Sequence, residues 1–205
     1  MQDVRSTRLL DMKQRDALLD GAKKCLVEKG FHGTTARDIA AASGAHLGSI
    51  GYHFGSKDRL MSLAALELSS QWGDTMEQLA RSAGGETPGE RLITMLSEVL
   101  ASLPQTQDVH SVSLQAFVHA QFDDDLRREL AAGTAQGRAA LAALLEGRQE
   151  SEGPDRADDA GLGSLSYALV TGLVIQSLVD PEHLPSPAEL SEGLTRLGTR
   201  GSTEG

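Results

Sequence analysis

An all-α fold is what this sequence predicts, and three observations carry that expectation. Alanine and leucine dominate the apolar residues while aromatics make up 3% of the chain, a balance that suits helices over sheets. Apolar residues recur at three- and four-residue intervals, and no segment alternates with period two for long. Clusters of glycine and proline, at 83–88 and 181–187, punctuate the periodic stretches.

The first helix is expected over residues 13–29, where Leu18, Ala22 and Leu26 recur every four residues as one buried stripe. Gly30 stops it, and Phe31 can fold back onto that stripe. Thr35-Ala36-Arg37-Asp38 reads as a capping box that starts a second helix. Ala36, Ile39 and Ala40 face inward on it, and Gly44 ends it early. A third, very short helix follows over residues 46–53, with glycine at 44, 48, 51 and 55 in and around it. Each glycine inside a helix costs roughly 1 kcal/mol relative to alanine, so this helix needs a reason to be written that way. Two short helices joined by a glycine-containing turn, packed on a longer preceding one, describe a helix-turn-helix.

Ser56 reads as the N-cap of a long helix over 57–81, with Leu60, Ala64, Leu68 and Trp72 on its inner face. After the break at 83–88, Leu92, Met95, Leu96, Val99, Leu100 and Leu103 make the cleanest amphipathic helix in the chain. Further helices are expected over 108–121, 124–149 and 157–180, and a last one over 187–198. The segment 150–159 is an acidic, glycine-containing loop, and the tail from 198 is expected to be disordered.

Charge divides the chain. Residues 1–60 carry ten basic against seven acidic side chains, and residues 61–205 carry nine against twenty-two, for a net charge of −10. A mildly basic head on an acidic body confines attraction for a polyanion to one end. The first residues mix charges and lack the apolar core of a signal peptide. The apolar run 167–179 is too short to span a bilayer. A cytoplasmic protein without membrane contact is therefore expected. The single cysteine, Cys25, rules out an internal disulfide and sits at a core position, as a buried inert thiol.

A helix that reads DNA brings its backbone close to the duplex and presents small or polar residues to bases and phosphates. Gly48 and Gly51 thin one face of the third helix, Ser49 can hydrogen-bond, and Tyr52, His53 and Lys57 are donors suited to phosphate. Ile50 and Phe54 anchor the other side. The plainer reading is a loop between two long helices, where glycine is ordinary.

The stretches Glu28-Lys-Gly-Phe-His-Gly-Thr-Thr-Ala-Arg-Asp-Ile-Ala40 and Tyr52-His-Phe-Gly-Ser-Lys-Asp-Arg-Leu60 resemble the N-terminal domain of the TetR family of transcriptional regulators. The resemblance implies an all-α homodimer with a helix-turn-helix DNA-binding domain, residues 1–60, on a ligand-binding and dimerisation domain, residues 61–205. It implies a double-stranded palindromic operator and a small-molecule effector as partners, and no cofactor. Among the residues at matching positions, it implies phosphate contacts from Thr34 or Thr35 at the start of the second helix and from His53 and Lys57, and base reading by Leu47, Gly48 and Ser49. Arg37 and Tyr52 are included in the same DNA-contacting set. The family commonly has tyrosine where this chain has Gly51, and Tyr52 stands one place later, about 100° around the helix. Tyr52 then either reaches phosphate by another route or packs. His46 replaces a common serine or threonine cap. Leu47 lies three before Ile50, which suits a core stripe, while its family position faces the groove and a thymine methyl.

In the body, Trp72, Met76, Met95, Phe117, His119 and Tyr167 are candidates for an effector pocket, since such sites are mostly apolar with a few polar groups; each also suits ordinary core. His110 and His119, nine apart, do not share a helical face, and Asp123–Asp125 precede a helix where acidic caps are expected; no metal site is expected. The small-residue segment from Gly161, with the last helix, resembles in position the family's four-helix dimer interface. Two other classes stay open: an all-α enzyme using His110, His119 and Asp123–Asp125, for which no nucleophile-base motif is present, and a protein-binding adaptor with a degenerate DNA-binding head.

Overall fold

The computed structural model describes the backbone of residues 2–82, 84–148 and 159–199 and the side chains of 10–73, 84–148 and 161–198. The acidic loop over 150–158 and the tail beyond 199 lie outside the described residues. Eight α-helices appear among them and no strand: α1 Gln2–Gly33, α2 Ala36–Ser43, α3 Gly48–Phe54, α4 Lys57–Ser82, α5 Pro88–His119, α6 Asp124–Leu145, α7 Asp159–Val179 and α8 Pro187–Thr199. A short 3₁₀ turn, Pro181–His183, precedes α8.

The chain forms two compact units. One comprises residues 1–72 with 108–131, the other residues 73–107 with 132–205. Helix α5 contributes to both. The sequence predicts two helices, one through Leu103 and one over 108–121, but the helix runs unbroken through Pro104. An interior proline removes one hydrogen bond and crowds the preceding turn, a cost of about 3 kcal/mol or more. Burial of Leu103 before it, and of Val112 and Ala116 after it, supplies packing on both sides to offset that cost.

The first unit is built on the expected stripe. Leu18, Ala22, Cys25 and Leu26 of α1 pack with Phe31, Ile39, Ile50, Phe54, Leu60, Met61 and Ala64 in one core that also takes in Val112 and Ala116. Burial raises the pKa of the Cys25 thiol, which keeps it protonated and unreactive. Gly30 adopts φ +69 and interrupts α1, a left-handed conformation natural to glycine. The interruption turns Phe31 toward α5. The Phe31 amide donates to Gln115 Oε1 at 3.1 Å, and its ring stacks on His119 at 4.9 Å. Ser62 of α4 donates to Asp123 Oδ2 at 3.0 Å. With the Ser69 and Ser113 hydroxyls 3.0 Å apart as well, segment 108–131 is tied to the first helices by core packing, a ring stack and three hydrogen bonds.

Helices α1 and α2 cross closely at Gly21. A Cβ there would stand 2.9 Å from Ser43 Cβ and 3.1 Å from the Ile39 carbonyl oxygen, closer than real side chains approach.

In the second unit Leu92, Met95, Leu96, Val99 and Leu103 of α5 are buried, as are Ala142 and Leu145 of α6 and Val170, Leu173 and Val174 of α7. The Arg91 guanidinium donates to the carbonyls of Leu145 and Gly85, each at 2.8 Å. Glycines let α6 and α7 approach: the Tyr167 ring lies over Gly137, and Gly163 faces the Arg138 carbonyl. The apolar run expected over 167–179 is part of a longer segment. Residues 161–179 form a 19-residue stretch of mean hydropathy 1.6, which length and composition alone would allow to cross a membrane. Gly161–Ser166 extend the helix beyond that run without adding charge, and about a third of the stretch is buried inside the protein.

Candidate nucleic-acid interface

Helix α2 begins as its residues dictate. Thr35 is extended, its hydroxyl oxygen accepts from the Asp38 amide at 3.2 Å, and the Thr35 amide donates to Asp38 Oδ2 at 2.8 Å. This is the capping box in full. Lys29 of α1 reaches the same carboxylate at 2.6 Å. The Lys29 ammonium, then the Thr35 hydroxyl and amide, hold the Asp38 carboxyl well below the usual carboxylate range. Helix α2 ends at Gly44, φ +67, a left-handed cap that turns the chain sharply into α3.

Helix α3 has seven residues, and its N-cap Leu47 makes no side-chain capping bond. The helix starts two residues later than expected, at Gly48, because neither His46 nor Leu47 caps it. Ile50 and Phe54 are buried beneath it. Its other face is open. A Cβ at Gly48 or Gly51 would meet nothing within 4 Å, so neither glycine is demanded by packing inside the protein. Leu47 is 48% exposed and Tyr52 77% exposed; Leu47 lies off the core stripe, and Ser49 is half-buried beside it. Arg37 and Thr35 are exposed at the start of α2.

Lys57 opens α4, whose N-cap is Ser56, its hydroxyl accepting from the Arg59 amide at 3.0 Å. The Lys57 ammonium donates to the Thr34 carbonyl at 3.1 Å and lies 3.4 Å from Asp58 Oδ1. This places the cation beside the start of α2, with about a third of the side chain exposed.

Thr34 and His53 have a geometry that a phosphate contact does not require. Thr34 is buried, and its hydroxyl donates to the carbonyls of Cys25 and Gly30 at 3.1 and 2.8 Å. The His53 side chain is 4% exposed, with Nε2 3.3 Å from Gln14 Oε1 and 3.8 Å from Asp11 Oδ1. Arg15 lies over the Phe54 ring at 5.2 Å. Sequence reasoning missed these three α1 residues. One signal was present: Gln14 stands four before Leu18, a polar residue continuing the buried stripe.

The six effector candidates divide between the units. Trp72 meets His110 edge-to-face at 5.0 Å, and its indole Nε1 is buried without a partner among the described residues. Phe117 is exposed, while His119 stacks on Phe31. Met95 is buried in the second unit, where the Tyr167 hydroxyl lies 3.4 Å from Thr134. The Met76 side chain lies outside the described residues. An open groove of ≈ 320 Å³ between α1 and α4 is lined by Lys23, Lys24, Val27, Glu28, Leu68 and Gln71, none of them a candidate.

Residues 18–68 match the sequence profile of bacterial regulatory proteins of the tetR family, and residues 88–196 match that of the BetI-type transcriptional repressor C-terminal domain. The chain is similar to the HTH-type transcriptional regulator PksA of Bacillus subtilis, at 24% identity over 169 residues, 82% of this chain and 80% of that protein. It is also similar to the HTH-type transcriptional repressor AcnR of Corynebacterium efficiens, at 33% identity over 67 residues, 33% of this chain and 36% of that one. The solved structure of SCO7518 from Streptomyces coelicolor shares the fold, with a TM-score of 0.70 and 17% identity, over 90% of this chain and 97% of that chain.

Proposed function

The chain belongs to the TetR family of transcriptional regulators, and from that premise we propose that it is a repressor that binds a palindromic operator as a homodimer and is released by a small-molecule effector. The observation that carries the reading is the outer face of α3. Leu47 and Tyr52 are exposed, and Gly48 and Gly51 open onto empty space, over the buried anchors Ile50 and Phe54. Glycines that no internal contact requires permit close approach of an external surface, and a major groove admits a helix of this kind. Leu47, Gly48 and Ser49 would meet base edges, with Leu47 suited to a thymine methyl. Thr35, Arg37, Tyr52 and Lys57 would meet phosphates, aided by the free amides at the start of α2. Thr34 and His53 would support this face from behind. Residues 1–60 form the reading head and residues 61–205 the body.

Dimerisation is supported by α7. Leu165, Ala168, Gly172, Ile175 and Val179 follow the three-then-four spacing of a coiled-coil seam, and Leu165, Ile175 and Val179 are exposed. Exposed Leu197 on α8 adds to the apolar surface. A second copy covering this seam accounts for a helix otherwise apolar enough for a membrane, and suits a cytoplasmic protein. An isologous pair would set two heads on adjacent major grooves, about 34–36 Å apart or a multiple of that.

Within the first unit the effector would engage Trp72, whose buried indole N–H has no acceptor among the described residues, with Phe117 and His119; Met95 and Tyr167 are separate candidates in the second unit. Because segment 108–131 is tied to the head through Phe31, Gln115 and Asp123, a ligand that shifts this segment would move the heads off operator spacing. The shift cannot exceed the ligand's differential affinity for the two states. Trp72 is the sole tryptophan, which provides the test. A compound that quenches its fluorescence and also weakens operator binding supports the reading. If every compound that binds leaves operator affinity unchanged, effector release is wrong.

A further inference from the structure

Helix α3 is poorly equipped to hold its own shape. It has seven residues, two of them glycines with open space where a side chain would stand, and no side-chain N-cap. Helices this short do not persist unaided, so its order must come from what it touches. Ile50 and Phe54 supply the apolar part. The polar part comes from α1. His53 Nε2 lies 3.3 Å from Gln14 Oε1, and a carboxamide oxygen only accepts, so Nε2 carries the proton and donates. Asp11 Oδ1 lies 3.8 Å from the same nitrogen. Tyr52, the most exposed side chain of α3, stands edge-on to the His53 ring at 4.8 Å.

We infer that Gln14 is a positioning residue for DNA recognition: through the His53 imidazole it fixes the C-terminal turn of α3 and the direction in which Tyr52 leaves it. The inference rests on the operator-binding reading above. It assigns His53 a supporting role in place of a phosphate contact, since a side chain 4% exposed has almost no surface to offer a phosphate. It also gives Tyr52 a defined path outward beside Gly51, where the family commonly has tyrosine. The aromatic ring leaves the helix one residue later and is held there by an edge contact with His53.

Two variants separate support from direct contact. Gln14→Leu keeps the size of the side chain and removes the acceptor, whereas Gln14→Glu keeps an acceptor. In the protein without DNA, amide exchange over residues 48–55 is expected to rise about threefold or more in Gln14→Leu, with residues 36–43 unchanged and Gln14→Glu at the parental rate. This arm needs no operator, and equal exchange in all three proteins would overturn the inference even where operator binding holds. On a selected operator, Gln14→Leu and His53→Ala should each weaken binding roughly tenfold, and the double variant no further than either alone, because both break one contact. The slope of log affinity against log salt should stay constant. A fall of about one in that slope for His53→Ala would identify a direct phosphate ligand and overturn the inference. Absence of any operator for the parental protein would sink the operator reading, and the exchange arm would still decide the role of Gln14.

Discussion

Thr35 starts α2 and shares the Asp38 carboxylate with Lys29; in the proposed reading the same hydroxyl would serve both stability and phosphate contact. Thr35→Ala should cost about 1 kcal/mol of stability, the usual loss of a helix cap, read as a lower urea midpoint. Lys57 differs, because its donors point at a carbonyl of the head rather than at an apolar core. Lys57→Ala should weaken binding to all duplexes alike and lower the salt slope by about one; no change in either would remove it from the phosphate set. His110 carries a pH prediction. Burial depresses its pKa, so the unfolded chain takes up a proton more readily than the folded one. The corresponding stability is full above the unfolded histidine pKa, about 6.5, and is lost as pH falls through the lower folded value. His110→Gln should flatten the decline in thermal midpoint between about pH 7 and 5 relative to the parent.

At the scale of elements, the head depends on how closely α1 and α2 cross. Gly21→Ala would push a methyl into Ser43 and the Ile39 carbonyl, both fixed parts of α2. It should cost about 1–3 kcal/mol, the range for overpacking, and weaken operator binding by displacing α2 and α3 together. A variant of parental stability would show that the crossing can relax. The start of α2 and its glycine stop were readable in the sequence because their signals are local: the capping box spans four residues, and Gly44 ends the helix it follows. So was the stripe of Leu18, Ala22 and Leu26. What could not be read depends on partners far along the chain. Gln14 meets His53 across 39 residues and Gln115 meets Phe31 across 84, distances over which spacing carries no information. The continuity of α5 through Pro104 is of the same kind, since burial on either side of the proline offsets its local tendency to break a helix.

For the molecule as a whole, charge and the proposed two-fold symmetry would act together. The mild excess of basic residues before residue 61, against a strongly acidic remainder, favours presentation of the head to DNA while the body is repelled. One such head gives weak attraction, and two joined heads gain from effective concentration. Ile175→Glu, placed in the exposed α7 seam, should convert the dimer to a monomer in sedimentation equilibrium and sharply reduce operator affinity. A variant that remains dimeric would put the interface elsewhere. The central claim, a sequence-specific reader working as a symmetric pair, is tested most directly by selecting bound sequences from a random duplex pool at near-physiological salt. The account expects enrichment of an inverted repeat whose half-sites lie about one helical turn apart, or a multiple of that. A folded dimer that enriches no sequence from the pool would contradict it.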